Sequence, residues 1–209
     1  IVIDIIVSFN CSCLYGHTIR HGTKWSLYPK WRIFRILIVG INHIFYMLCA
    51  GCNAAETERL GLESGPLGFH YLANSHSPTS GVDEMAEDFK EVQLSADAIG
   101  LSKMEQESMF SVTAAILHIG NIEFKVIDRS TSEVSGAADT LNAISMCSSL
   151  LGIDGDELKV MLCNRTIQVR TSGEEMQVPM SQEKAESARD ALAKRIYANI
   201  FAWLINKIN

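Results

Sequence analysis

The sequence lacks an apolar run long enough to cross a membrane. Its apolar runs at residues 1–9 and 33–41 are short and contain Asp4 and Arg35 respectively. A spanning helix needs roughly 20 predominantly apolar residues. No positive charge precedes the first run, as a secretory signal peptide would require. The sequence therefore predicts neither a transmembrane segment nor a signal peptide.

A phosphate-binding loop is also missing. That loop requires Gly, four residues of any type, Gly, Lys and then Ser or Thr, because its amides and lysine surround the phosphates. The nearest approach is Gly16–Gly22 followed by Thr23-Lys24, which has five intervening residues and no hydroxyl after the lysine. Carboxylates are plentiful, but they lie on predicted polar faces. We therefore assign no catalytic and no cofactor-binding residue.

Basic charge is scarce outside the first part of the chain. The net charge is −6, so the chain as a whole is not expected to bind nucleic acid. Residues 1–42 nevertheless carry five basic side chains and one acid, whereas the remainder carries 13 basic and 23 acidic residues. Such a step in charge suggests two segments of different origin or role.

The six cysteines are irregularly spaced along a long chain, which favours free thiols in a reducing compartment. One set, Cys11, Cys13, His17 and His21, has the side chains of a zinc site but is more closely spaced than structural zinc sites usually are. Cys49 and Cys52 read as a buried pair of small side chains. No metal ligand is assigned, and a small zinc-binding protein using the first set stays as a minor hypothesis.

From residue 43 onward the sequence follows helical periodicity between punctuating glycines. Ser102 and Glu105 form a capping box, in which each side chain satisfies a backbone N–H of the first turn. His118 is interpreted as a structural histidine at the end of that helix. The predicted helices are 43–51, 83–100, 103–120, 138–151 and a short one ending near 163, with a loop at 60–82.

Short β-prone runs interrupt the helices. Residues 121–126 alternate as a short strand would, and residues 128–136 are predicted to be a flexible polar loop. Residues 165–170 and 175–178 predict a small hairpin or an extended loop. Its charged side chains are either a solvated loop or an exposed contact surface, because exposed loops on rigid scaffolds often bind partners. These side chains are Arg165, Arg170, Glu174 and Glu175.

The longest predicted helix covers residues 181–209. Ser181 is the expected N-cap, and Glu183 in the first turn suits the positive end of the helix dipole. A helix of this length extends for roughly 40 Å. Its predicted apolar line has spacings of three and four residues and consists of Ala188, Leu192, Ile196, Ile200, Trp203 or Leu204, and Ile208.

Several blocks along residues 43–209 resemble the myosin motor domain, in the order in which that family has them. Individually they are weak, but together they are specific. The longer blocks are HIFYMLCAG at 43–51, FHYL at 69–72, AAILHIGNIEF at 114–124, ARDALAK at 188–194 and FAWLINKIN at 201–209.

The resemblance implies a mainly α fold: the helical upper-half subdomain of a P-loop-type motor head, with a small β-hairpin, between switch I and switch II. Residues 1–42 look unlike the family and suggest a mis-joined exon or translated intron. The family's P-loop, switch I and switch II are not recognisable in the chain. ATP and Mg²⁺ are therefore expected to bind the complete family motor, and not this fragment, which is predicted to be inactive alone.

The resemblance also implies a partner, the actin filament. In the family, the loop before the final helix contacts actin; here it is roughly residues 164–180. Glu174 lies sixteen positions before Asp190, where the family tends to have an acidic or phosphorylatable residue, and Arg165 matches a basic position. The final helix would couple this contact to the nucleotide switch beyond residue 209.

Two main hypotheses follow. The chain is part of an actin-based, ATP-driven motor of the cytoplasmic actin cytoskeleton, or it is a catalytically silent helical scaffold derived from myosin. The resemblance does not specify myosin class, cargo or oligomeric state.

Overall fold

The computed structural model describes residues 43–73, 82–168 and 174–208. The predictions for residues 1–42, including the zinc set, and for Arg170 lie outside these residues. In chain order the elements are α1 His43–Gly51, α2 Ala54–Leu60, a 3₁₀ turn Pro66–Gly68, α3 His70–Ala73, α4 Val82–Ala98, α5 Lys103–Gly120, β1 Phe124–Val126, β2 Ser132–Val134, α6 Ala138–Leu151, α7 Gly155–Cys163, β3 Asn164–Gln168, β4 Glu175–Pro179 and α8 Gln182–Ile208.

Helix α5 is the central helix of the described fold. Its first turn carries the predicted capping box, with Ser102 accepting from the Glu105 amide and Glu105 accepting from the Ser102 amide. Nearly every residue of its second half is buried, since α1, α6 and α8 all pack against it. A mainly helical fold with two small antiparallel hairpins is thus confirmed.

Two predictions about loops were wrong. Residues 128–136 contain strand β2, which pairs with β1 in the register Phe124–Val134 and is held at its buried residue Ser132 by a hydrogen bond to the Met180 carbonyl. Residues 60–82 contain the 3₁₀ turn and α3. The 3₁₀ turn and α3 are held by tertiary contacts rather than by their own pattern, since Asn121 bonds both the Gly68 carbonyl and the His70 amide.

The predicted apolar line of α8 is only partly right. Leu192, Ile196, Ile200 and Trp203 do pack against the core. In the first half of the helix, however, the most buried positions are Ala185, Arg189 and Ala193. They lie on a different face of the helix from Ala188. A prediction based on hydrophobicity does not expect a charged residue such as Arg189 in the core. The predicted apolar line was therefore drawn through Ala188 instead.

Cysteines Cys49, Cys52, Cys147 and Cys163 are free thiols. Burial raises the pKa of Cys49 and of Cys52 to about 12, so both are protonated at neutral pH. The helices of the described ranges are each too short or too polar to cross a membrane.

Candidate functional site: a projecting hairpin and the long helix behind it

The β3–β4 hairpin follows α7 without an intervening residue. Its strands pair from Asn164 opposite Pro179 to Gln168 opposite Glu175. None of its ten strand residues is fully buried, and most are exposed. Since a hairpin without a covering layer gains little from burial, its position depends on the anchorage at its base.

The two faces of this hairpin differ in character. Directly opposed residues share a face, so Arg165, Ile167, Met176 and Val178 form one face and Thr166, Gln168, Glu175 and Gln177 form the other. The predicted contact residues Arg165 and Glu175 therefore lie on opposite faces. The structure does not bring them together.

Glu174 immediately precedes β4 and is exposed, as are Arg165 and Glu175. The three described side chains are accessible to a partner. One face offers a cation beside apolar side chains, of which Met176 is 49% exposed. The other is a polar face with one carboxylate.

Met180 anchors the base of the hairpin. Its amide donates to the Cys163 carbonyl at 2.8 Å, which closes the hairpin below the last strand pair. Its carbonyl accepts from the Ser132 hydroxyl at 2.9 Å, and its side chain is buried. The helix α8 begins two residues later. The direction in which α8 leaves the hairpin is thereby tied to the β1–β2 hairpin as well.

A buried charged junction lies two turns into α8. The Arg189 guanidinium binds the Asp190 carboxylate through Nε and Nη2, each at 2.9 Å, and donates from Nη1 to the Ile122 carbonyl at 3.0 Å. The Tyr71 hydroxyl donates to the same carboxylate oxygen at 2.7 Å. The Arg189 side chain is 9% exposed and that of Asp190 15%. Buried charges require such partners, and here every charge has one.

Burial raises the pKa of Tyr71 well above its ordinary range, and its hydrogen bond to the Asp190 carboxylate adds to the shift. The hydroxyl therefore remains a donor at any physiological pH. Tyr71 also stacks under the guanidinium, whose carbon lies 5.9 Å from the ring centroid. The junction connects α3, the end of α5 and α8 by directional bonds rather than by apolar packing alone.

An open cavity of about 1120 Å³ lies beside this junction, between the end of α5 and the starts of α6 and α8. His118 lines it and is buried, with Nε2 donating to the Leu60 carbonyl at 2.8 Å. Burial lowers the pKa of His118, which favours the neutral ring. Among the described residues no group of three or more His, Cys, Asp or Glu side chains has the arrangement of a metal site.

The far end of α8 is attached by an exposed ion pair. Lys207 Nζ lies 2.5 Å from Glu105, in the first turn of α5, and 5.8 Å from the Trp203 ring centroid. The hydrogen bond from Lys207 lowers the pKa of Glu105 to about 2. The helix that begins at the hairpin thus ends on the cap of α5.

Sequence reasoning missed the junction. Arg189, Asp190, Ile122 and Tyr71 fall in three of the blocks that carry the resemblance, but nothing in those blocks showed that they meet. The one available signal was the spacing of Ala185, Arg189 and Ala193, which puts a charged residue on a line of small ones.

These observations describe a helical domain from which one hairpin projects, with a long helix behind it. The family described as "Myosin head (motor domain)" matches residues 33–209, and the chain belongs to this family. The match begins upstream of His43, and the predicted boundary at that residue stays a prediction.

Three relatives illustrate the similarity. Unconventional myosin-Ic of Gallus gallus is 36% identical over 167 residues, which is 80% of this chain and 16% of that protein. Unconventional myosin IC of Drosophila melanogaster is 37% identical over 169 residues, with the same shares, and Myosin-1 of Arabidopsis thaliana is 40% identical over 168 residues, 80% of this chain and 14% of that protein. The chain therefore spans about one sixth of the length of the curated relatives it matches.

Proposed function

We propose that this chain acts as part of an actin-based, ATP-driven motor, as the upper-half segment of a P-loop-type myosin head. The β3–β4 hairpin contacts the actin filament, and α8 couples that contact to the nucleotide-dependent parts of the head. ATP and Mg²⁺ are bound by the complete motor outside this chain. The protein works in the cytoplasm, on the actin cytoskeleton.

The observation that carries this proposal is the attachment of an exposed hairpin to a long helix through one buried residue. The strands offer little surface to the core, so burial does not explain their presence. Through Met180 the hairpin base is bonded to α7 and β2, and α8 starts immediately beyond. A load applied to the hairpin would therefore reach the start of α8 through hydrogen-bonded backbone.

The contact we propose is polar with an apolar centre. Arg165 and Glu174 supply the charges, and Arg170 and Glu175 are proposed as further members. Ile167, Met176 and Val178 supply apolar surface on the face of Arg165. Because this is one loop of a larger composite site, we expect the chain alone to bind filaments weakly.

The test is cosedimentation of the 209-residue chain with actin filaments at low ionic strength. The chain should pellet with filaments in a saturable, salt-sensitive manner, and the double variant Arg165→Ala/Glu174→Ala should pellet several-fold less. The matched control is Glu87→Ala/Lys90→Ala, which removes one exposed charge of each sign from α4. Equal pelleting of the two double variants would reject the hairpin as the contact.

A second measurement addresses the nucleotide. The purified chain should hydrolyse no ATP and should not shift in stability when Mg·ATP is added. Turnover that copurifies with the chain and changes with its mutation would contradict the assignment of the ATP site to other parts of the motor.

A further inference from the structure

We infer that Arg189 and Lys207 are positioning residues that together fix the axial register of α8 on α5. The inference goes beyond the proposed function, because it concerns how two helices are held and not what the hairpin binds. Its consequence for coupling rests on that function, but its test does not involve actin.

The first observation is that the two helices are joined at both ends of their contact. At one end Arg189 donates to the Ile122 carbonyl, just beyond the last turn of α5. At the other end Lys207 pairs with Glu105, in the first turn of α5. Between these points α8 packs along α5, and the two helices run antiparallel.

The second observation is that the two attachment points are equally spaced on both partners. Eighteen positions separate Arg189 from Lys207, and seventeen separate Glu105 from Ile122. At 1.5 Å per helical residue, both separations are about 26 Å. The two attachments therefore specify the same register, and a shift of α8 along α5 would break both of them at once.

The third observation concerns the packing between these points. Packed helices slide in discrete steps of about one turn, or about 5 Å, when side-chain ridges can find equivalent grooves. The buried residues of α8 there are Ala193, which is small, and Leu204, and the larger apolar side chains between them are only partly buried. A displacement by one turn would exchange one set of partly buried side chains for another, whereas it would lose both directional bonds.

The two attachments differ in their exposure. The Arg189 guanidinium is buried and shared between a carboxylate and a carbonyl, whereas the Lys207 and Glu105 side chains are 42% and 29% exposed. Salt screens exposed pairs far more than buried ones. The Arg189 attachment is therefore expected to be less sensitive to salt than the Lys207 attachment.

The register can be measured in the full 209-residue chain by the distance between two nitroxide labels. Exposed Glu107 on α5 and Arg195 on α8 carry the labels, attached through a non-thiol chemistry because the chain has six cysteines. We expect one narrow distance distribution for the otherwise unmodified chain, for Arg189→Met and for Lys207→Gln, because either attachment alone suffices.

In the double variant Arg189→Met/Lys207→Gln we expect a second population displaced by about 5 Å, one helical turn. Restoring the cation with Arg189→Lys in the Lys207→Gln background should return the single distribution. The matched control is Arg59→Met/Lys207→Gln, which removes a guanidinium that binds Ser111 on α5 but makes no attachment to α8. This control should keep the single distribution.

Two results would overturn the inference. One is a narrow, unshifted distribution in a folded double variant, which would mean that packing alone sets the register. The other is an equal displacement in the Arg59 control. If circular dichroism shows that the double variant does not fold, Arg189→Gln/Lys207→Gln replaces it, since Gln keeps a donor for the Asp190 carboxylate but removes the guanidinium that binds the Ile122 carbonyl. The same two outcomes then decide.

Discussion

The junction around Arg189 and the β3–β4 hairpin are connected by a few residues of chain but have opposite construction. In the junction, the Arg189 charge is buried, the Asp190 charge is largely buried, and each has two or more partners. In the hairpin, most side chains are exposed, and its predicted charges lie on different faces. The comparison indicates that position is determined at the base and in α8, while the hairpin surface is left available for a partner.

The largest decrease in the free energy of unfolding is expected when the junction loses the Asp190 carboxylate. Asp190→Ala removes the carboxylate partner of the buried Arg189 cation, while the Ile122 carbonyl and the Tyr71 ring remain beside it. We expect the free energy of unfolding to fall by about 3 kcal/mol, since removing one partner of a buried pair is strongly destabilising. Urea denaturation followed by circular dichroism measures this change.

The control for this prediction is Asp156→Ala. Asp156 pairs with Lys159 on the surface of α7, with its side chain 88% exposed. This variant should leave the free energy of unfolding nearly unchanged, since exposed ion pairs contribute little. If the two alanine variants are equally mild, the contrast between junction and surface is wrong.

A smaller decrease in the free energy of unfolding is expected when the junction is overpacked than when its carboxylate is removed. A Cβ at Gly120 would lie 2.7 Å from the Tyr71 ring, so Gly120→Ala must displace the ring whose hydroxyl binds Asp190. Overpacking of this kind costs about 1–3 kcal/mol, of which better helix propensity recovers up to about 1 kcal/mol.

Gly136→Ala provides the comparison, because a Cβ there meets no atom within 4 Å. Thermal unfolding of the two variants should show a lower midpoint for Gly120→Ala alone. A midpoint for Gly120→Ala at or above that of the unmodified chain would show that the Tyr71 ring has room to move.

A third prediction concerns pH. The pKa of His118 is lowered in the folded chain by burial, so the unfolded chain binds this proton more readily. The neutral, buried His118 ring contributes its full stabilisation above the unfolded pKa of about 6.5. This stabilisation is lost as the pH falls from about 6.5 through the lower pKa of the folded chain. The free energy of unfolding should therefore decrease between about pH 7.5 and about pH 5.5.

In His118→Gln the same pH change should have less effect, since the amide can still donate to the Leu60 carbonyl but does not titrate. An identical pH dependence in both proteins would assign the effect to other groups.

The smallest change in stability is expected at the hairpin. Glu174→Ala should leave the free energy of unfolding within about 0.5 kcal/mol of the unmodified value, as exposed positions usually do. In a complete motor head that carries this segment, it should weaken actin affinity by up to about fivefold, because an exposed charge contact contributes about 0.2–1 kcal/mol. Unchanged cosedimentation, with Glu87→Ala as the reference, would contradict its role in the contact.

Local signals predicted most of the fold. The ends of α5, the start of α8, the helix at 138–151 and the β3–β4 hairpin follow from caps, glycines and periodicity, and the structure confirms them. What escaped prediction depends on contacts between distant residues. Strand β2 pairs with β1 and is held by the bond from Ser132 to Met180, forty-eight positions away, and the Tyr71–Asp190 bond joins residues 119 positions apart. Neither has a local pattern.

The predicted charges of the hairpin show a related limit. Arg165 and Glu175 were grouped by their nearness in sequence, but the strand register sets them on opposite faces. A shift of the register by one residue would have placed them together. Sequence alone predicted the hairpin but could not determine its register.

The bonds around Met180 have a consequence for variation among related chains. Because the hairpin is closed at Cys163 and held at Ser132, the turn joining β3 to β4 can differ in length or charge without redirecting α8. The exposed end of the hairpin can thus change its chemistry while the helix behind it keeps its axis. If the hairpin binds actin as proposed, the affinity for the filament can be altered by exchanging a few exposed residues, without change to the interior.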